Sequence, residues 1–179
     1  RWTKRTIQNK NLVCVENLLK TFDDNFFTEN SKNSVMAVND VSFNIKEGEI
    51  FGLVGESGSG KSTIAKMIVN LYKPTSGEIY FDENCITKIK NNHEMLKFRK
   101  QIQMIFQDPY SSLNSRLKVK DIIAEPILLH NPKISKPDLK NYIYDLLDSV
   151  ELIQSSADRY PHEFSGGQRQ RISIARALA

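Results

Sequence analysis

Cysteine is scarce: Cys14 and Cys85 stand 71 positions apart among 179 residues, with no CxxC spacing and no histidine alongside. That scarcity excludes a disulfide framework and a cysteine-built zinc site, and leaves two reduced thiols of the kind expected in cytosol. Long apolar runs are missing too. The longest, such as Ile50–Val54, are about five residues where a spanning helix needs about 20, so no membrane-crossing segment is expected. Arg1-Trp2-Thr3-Lys4-Arg5 is basic, but no apolar core or small-residue cleavage site follows it, so export is not expected. Internal repeats, low-complexity tracts and sustained heptads are also absent. What remains is ordinary globular material, 40% apolar and 26% charged, of a length that suits one domain with at most a small appendage. Lys and Arg number 25 against 21 acids, and the net charge of +4 favours anionic ligands without demanding nucleic acid.

Periodicity orders the chain. Leu12–Leu18 alternates as a strand, the polar stretch from Asp23 to Ser34 reads as a loop, and Val41–Ile45 alternates again. Ile50–Val54 is a short apolar run of the kind a strand buried on both faces shows. The period then changes. Ile64, Met67, Ile68 and Leu71 share one helical face, and Pro74–Gly77 ends that helix. Glu78–Phe81 and Ile102–Phe106 are further short strands. Beyond Asp108-Pro109 the pattern is helical: Val119, Ile122 and Ile123 form one stripe, with Pro126 expected to kink or divide it. Ser135 caps the next helix, Asp138 sits in its first turn, and Leu139, Tyr142, Ile143, Leu146, Leu147 and Val150 make its buried face. A sheet core carrying a helical subdomain follows.

Between the apolar run and the first helix lies Gly55-Glu56-Ser57-Gly58-Ser59-Gly60-Lys61-Ser62, a full match to G-x-x-x-x-G-K-[ST] in its required strand-to-helix setting. Glycines at 55, 58 and 60 let successive backbone N–H groups turn inward around phosphate oxygens, and the helix start adds its partial positive charge. Lys61 supplies a mobile charge for terminal phosphates, and Ser62 a hydroxyl for Mg²⁺. Glu56, Ser57 and Ser59 contribute mainly backbone, and Thr63 completes the candidate nucleotide-binding stretch. GTPases, kinases and motor ATPases share such a loop, so a second motif has to choose among them.

Phe164-Ser165-Gly166-Gly167-Gln168-Arg169-Gln170-Arg171 is that motif. Ser165 is an N-cap residue, Gly166 and Gly167 leave the first amides bare, and Ile172, Ala175 and Ala179 supply a small apolar face. The segment closely resembles the signature of the ATP-binding-cassette ATPases. Phe106-Gln107-Asp108-Pro109-Tyr110-Ser111-Ser112-Leu113-Asn114 and Arg159-Tyr160-Pro161-His162-Glu163 are similar to the oligopeptide, dipeptide and nickel importer branch, departing at Ser115, where that branch often has proline. The resemblance runs from about Leu12 to Ala179.

That resemblance implies an α/β P-loop core with an N-terminal antiparallel β-subdomain and an inserted helical subdomain, divided as 1–107, 108–165 and 166–179. It implies ATP and Mg²⁺ as ligands. Gln107 resembles the glutamine that reaches Mg²⁺ and the attacking water and moves with the helical subdomain. Read without the family it is only a polar residue before a turn. Phe22 resembles the aromatic that stacks on adenine, with Phe26 and Phe27 as rivals and a core role as the alternative. Ser165, Gly166, Gly167 and Gln168 would close over nucleotide held by a partner subunit. The implied partners are permease subunits, a sister ATPase forming a heterodimer, and indirectly an extracytoplasmic solute-binding protein, at the cytoplasmic face of the cell membrane.

In the family a Walker B strand with an aspartate and a catalytic glutamate follows the signature helix, and the sequence stops at Ala179. A truncated cassette is therefore expected, an ATPase in the full-length parent and nucleotide-binding at most by itself. His93, His130 and His162 read as structural. Nucleic-acid-associated ATPases of the same superfamily are the rival class. The 104 residues from Lys61 to Ser165 hold no long coiled coil, and two isolated cysteines cannot build their zinc clusters, so no nucleic acid is expected. A non-catalytic interaction module is the remaining alternative.

Overall fold

Alternating apolar residues put two long strands at the start of the chain. The computed structural model, which describes residues 9–23 and 34–179, pairs them antiparallel as β1 (Asn11–Asp23) and β2 (Ser34–Lys46). Both belong to the first of two units, Arg1–Ile102; the second is Gln103–Ala179. Along β1, Val13 and Val15 point into the core, yet so does Leu18, which strict alternation would send outward. Along β2, Val38 is buried, and Val41, Phe43 and Ile45 pack against the same core. Irregular pairing between Val15 and Leu18 switches the phase. Asn17 and Asp40 take left-handed backbone there, and the Asn17 Nδ2 donates to Asp40 Oδ1 at 2.9 Å.

β3 (Ser76–Phe81) pairs antiparallel on the other side of β1, and β4 (Asn84–Cys85) on β3, giving the order β2-β1-β3-β4. Helix α1 (Lys61–Ile68) lays Ile64 and Met67 on this sheet's core, and α2 (Asn92–Gln101) adds Phe98. The polar stretch expected as a loop is hairpin at its ends, where Asp23 faces Ser34 across the ladder; residues 24–33 lie outside those described.

Several expectations change. Ile50–Val54 and Ile102–Phe106 carry no ladder, and Ile50 and Val54 are 99% and 93% exposed rather than buried on both faces. A strand needs a neighbour's hydrogen bonds, and the described residues offer neither segment a partner. Helix α1 ends at Ile68, well before Pro74, and Leu71 lies outside it half exposed. Its last residues close through Asn70, which takes left-handed backbone and whose N–H donates to Met67 O at 2.9 Å.

The second unit is helical. A single turn, α3 (Pro109–Ser112), precedes α4 (Val119–His130), α5 (Lys136–Ser149) and α6 (Gly166–Leu178). Val119, Ile122, Ile123 and Ile127 of α4, Ile143, Leu146 and Leu147 of α5, and Ile172 and Ala175 of α6 share one core. Pro126 sits inside α4 without dividing it. Ser135 caps α5 as expected, accepting from the Asp138 N–H at 3.2 Å. Tyr142 is exposed rather than part of the buried stripe, its phenol reaching water while Tyr144 packs against the core.

Candidate functional site

The phosphate loop runs exposed from Gly55 to Ser59 and enters α1 through Gly60. Gly60 has a φ of 91°, and a Cβ there would lie 2.2 Å from the Ala37 carbonyl oxygen. Glycine is thus required by a close approach of loop and β2, and that approach fixes where the helix begins. At the loop's first glycine, a Cβ on Gly55 would meet Ser59 Oγ at 2.8 Å. No side chain caps α1, and its first turn holds no acid, so its amides keep their affinity for an anion. The Lys61 ammonium curls back over the loop. It donates to the carbonyls of Gly55 (2.8 Å) and Glu56, and to Ser59 Oγ at 3.3 Å. Ser62 is exposed and Thr63 half-buried beside it. This donor set suits a polyphosphate: a backbone cradle too tight for side chains, an uncapped helix start and one flexible cation.

Phe22 lies near the end of β1, 39% exposed. Its ring meets that of Tyr72 edge-on at 5.7 Å, and the Lys20 ammonium stands 4.9 Å from its centroid. Phe22 thus keeps a partial exposure that a fully buried core aromatic would not have. Phe26 and Phe27 lie outside the described residues. Phe22 and Gly55–Thr63 belong to the first unit; Gln107, Ser165, Gly166, Gly167 and Gln168 belong to the second.

Gln107 is exposed, immediately before Asp108, whose side chain accepts from the Tyr110 N–H at 2.9 Å and so caps α3. At α6, Ser165 and Gln168 form a reciprocal box: Ser165 Oγ accepts from the Gln168 N–H at 3.4 Å, and Gln168 Oε1 accepts from the Ser165 N–H at 3.0 Å. The box leaves Gly166 and Gly167 between its arms. A Cβ at either would meet nothing within 4 Å.

Two residues without an assigned role in the motif reading emerge beside this helix start. The Arg169 guanidinium covers the Tyr110 ring at 3.9 Å and donates to Pro161 O at 2.8 Å; Arg176 Nη1 donates to Ser112 O at 2.7 Å. Their signal in the sequence is their spacing, since residues seven apart lie on one helix face. Ahead of them, Glu163 accepts from the Tyr160 N–H at 2.6 Å and from Arg159 Nε at 3.4 Å, and this pairing holds its carboxyl below the ordinary 4.5. His162 stacks on Tyr160, and no group of three or more His, Cys, Asp or Glu side chains suited to a metal ion occurs among the described residues. Nor is any described helix long and apolar enough to cross a membrane.

The ABC transporter family matches residues 38–179. The oligopeptide transport ATP-binding protein OppF of Streptococcus mutans is 53% identical over 97% of the chain, which covers 54% of that protein. The dipeptide transport ATP-binding protein DppF of Lactococcus lactis is 47% identical over 95% of the chain and 53% of its own length. The chain thus spans about half the length of the curated relatives it matches. Among solved structures, a dimeric post-hydrolysis state of the ATP-binding cassette MJ0796, bound to ADP and Pi, superimposes with a TM-score of 0.81 at 33% identity, covering 93% of this chain and 69% of that one. By sequence and by fold, the chain belongs to the ABC transporter family.

Proposed function

We propose that the chain is the nucleotide-binding part of an ATP-hydrolysing subunit that powers import of peptides, or of a related small solute such as nickel, at the cytoplasmic face of the cell membrane. One observation carries the reading. The chain holds two glycine-bearing helix starts, and the glycine at one is dictated by its own backbone (Gly60 against Ala37), while a Cβ at Gly166 or Gly167 would meet nothing within 4 Å among the described residues. Gly166 and Gly167 stay small for something that arrives from outside. A relative that forms an ADP-bound dimer supports a second subunit as that visitor. The names of the oligopeptide and dipeptide relatives support the solute class.

In this reading the amides of Gly55–Thr63 bind the phosphates, and Lys61 leaves its carbonyl partners to donate to the terminal ones. Phe22 stacks on adenine. Ser62 and Gln107 are the residues that would hold Mg²⁺, which would supply positive charge to offset that developing on the phosphoryl group. Gln107 also orients the attacking water through its amide. Ser165, Gly166, Gly167 and Gln168 close over the terminal phosphate held by a sister ATPase, and the helical region between Gln107 and the signature meets the permease. The division into 1–107, 108–165 and 166–179 follows these roles.

The test uses the full-length protein with its sister subunit. Gly167→Asp puts a carboxylate where the partner's terminal phosphate sits, so ATP-driven pairing and turnover should be lost while the isolated subunit binds nucleotide as before. Loss of binding by the isolated subunit with pairing intact would assign the signature to its own loop and end the sandwich reading. In cells, Lys61→Ala should abolish uptake of labelled short peptides or of Ni²⁺. Unchanged uptake of both sinks the transport assignment.

A further inference from the structure

Between Gln107 and the start of α6 stands an element too short to hold itself. Helix α3 is one turn of four residues, and an isolated turn is unstable in water. Its upstream end is capped by Asp108. Among the described residues, two arginines of α6 join it to that helix. Arg169 Nε donates to Pro161 O at 2.8 Å and its Nη2 to His162 O at 3.3 Å, while the flat of the guanidinium covers the Tyr110 ring at 3.9 Å. Arg176, two turns on along the same face, donates to Ser112 O at 2.7 Å and so satisfies a carbonyl at the end of α3. Tyr110 is 65% exposed, so its ring is held by this cation rather than by burial. Arg169 itself leaves α6 one residue after the Ser165–Gln168 box.

We propose that Arg169 is a positioning residue: held between the Tyr110 ring and the carbonyls of Pro161 and His162, it fastens the segment carrying Gln107 to the start of α6. Gln107 and the Gly166–Gly167 opening then share one frame. A displacement of Gln107 is delivered to the signature amides directly, through a planar cation, and not only through the helical core. Lysine cannot substitute, because an ammonium is a point charge that cannot lie flat on the ring while donating from a rigid planar fork. The proposal rests on the nucleotide roles assigned above to Gln107 and the signature. Its structural half, the clamp itself, is independent of them.

Both halves are tested on the full-length protein. Arg169→Lys and Tyr110→Leu should each speed deuterium exchange across residues 107–113, whereas Tyr110→Phe, which keeps the ring, should not. With the sister subunit, the same two variants should lower kcat for ATP hydrolysis roughly tenfold and leave nucleotide Kd unchanged. Tyr110→Phe should match the parent, and the double variant should be no worse than either single. Exposed Tyr110 can be replaced without risk to the core, so Tyr110→Leu decides the matter even if Arg169→Lys folds poorly. Unchanged exchange in Tyr110→Leu, or a double variant whose loss is the product of the two singles, would overturn the clamp. Faster exchange in a protein that neither binds nor hydrolyses nucleotide would keep the clamp and defeat the functional reading.

Discussion

The two helix starts make opposite use of the same physics. At α1 the amides have no side-chain cap, and the nearby cation is occupied by the loop's own carbonyls. At α6 the box between Ser165 and Gln168 satisfies two donors internally and leaves only the glycine amides open. The first start holds its cation on loop carbonyls; the second is closed by its own box. Glycine also means different things at the two. At Gly60 it relieves a collision inside the chain, and at Gly167 it preserves an empty space.

Substitution with alanine should therefore separate them. Gly60→Ala forces a methyl toward the Ala37 oxygen at a φ that side chains avoid, and should cost about 3 kcal/mol or more in denaturant unfolding. Lys61→Ala removes charge-assisted phosphate contacts, and nucleotide titration should show a loss of about 1.5–3 kcal/mol in binding with little change in folding. Ser165→Ala breaks one arm of the box and should lower stability by about 1 kcal/mol, read from thermal unfolding. Gly167→Ala should do the reverse, stabilising the isolated subunit by about 0.5 kcal/mol through helix propensity while ATP-driven pairing weakens. A stabilising Gly60→Ala or a strongly destabilising Gly167→Ala would erase the contrast.

Smallest of all is a pH effect just ahead of α6. The Tyr160 N–H, and then Arg159, hold the Glu163 carboxyl below its ordinary 4.5. A depressed carboxyl contributes stability above its unfolded pKa and loses it as pH falls through the folded value. Acid unfolding should therefore show a small loss of stability beginning below about pH 4.5 that Glu163→Gln removes.

The phosphate loop and signature were legible in the sequence because their chemistry demands particular residues at fixed spacing. Capping was legible for the same reason, and Ser135 and Ser165 both cap as their positions imply. Strands were harder. Ile50–Val54 has the composition of a buried strand, but a ladder is a property of two segments, and one segment's pattern cannot supply the other. Helix α2 was missed because only Phe98 of its ten residues is buried, leaving no apolar stripe to read. The phase switch at Asn17 and Asp40 was invisible for a related reason: each residue alone is an ordinary polar position, and only their pairing across the ladder gives the bulge its function.

The close approach of Gly60 to β2 also makes that strand a ruler. Val35 stands opposite Phe22 across the ladder, and two residues on, Ala37 abuts the phosphate loop. The proposed base platform and the phosphate cradle are thus gauged against one stretch of backbone, offset along it by roughly 7 Å at the usual rise per residue. Inserting one residue between Val35 and Ala37 would leave the loop sequence and the aromatic ring untouched, yet it would lengthen the gauge and turn the pleat over. A ligand that spans both ends would then lose the advantage of touching the two at once, even with every contacting side chain still in place.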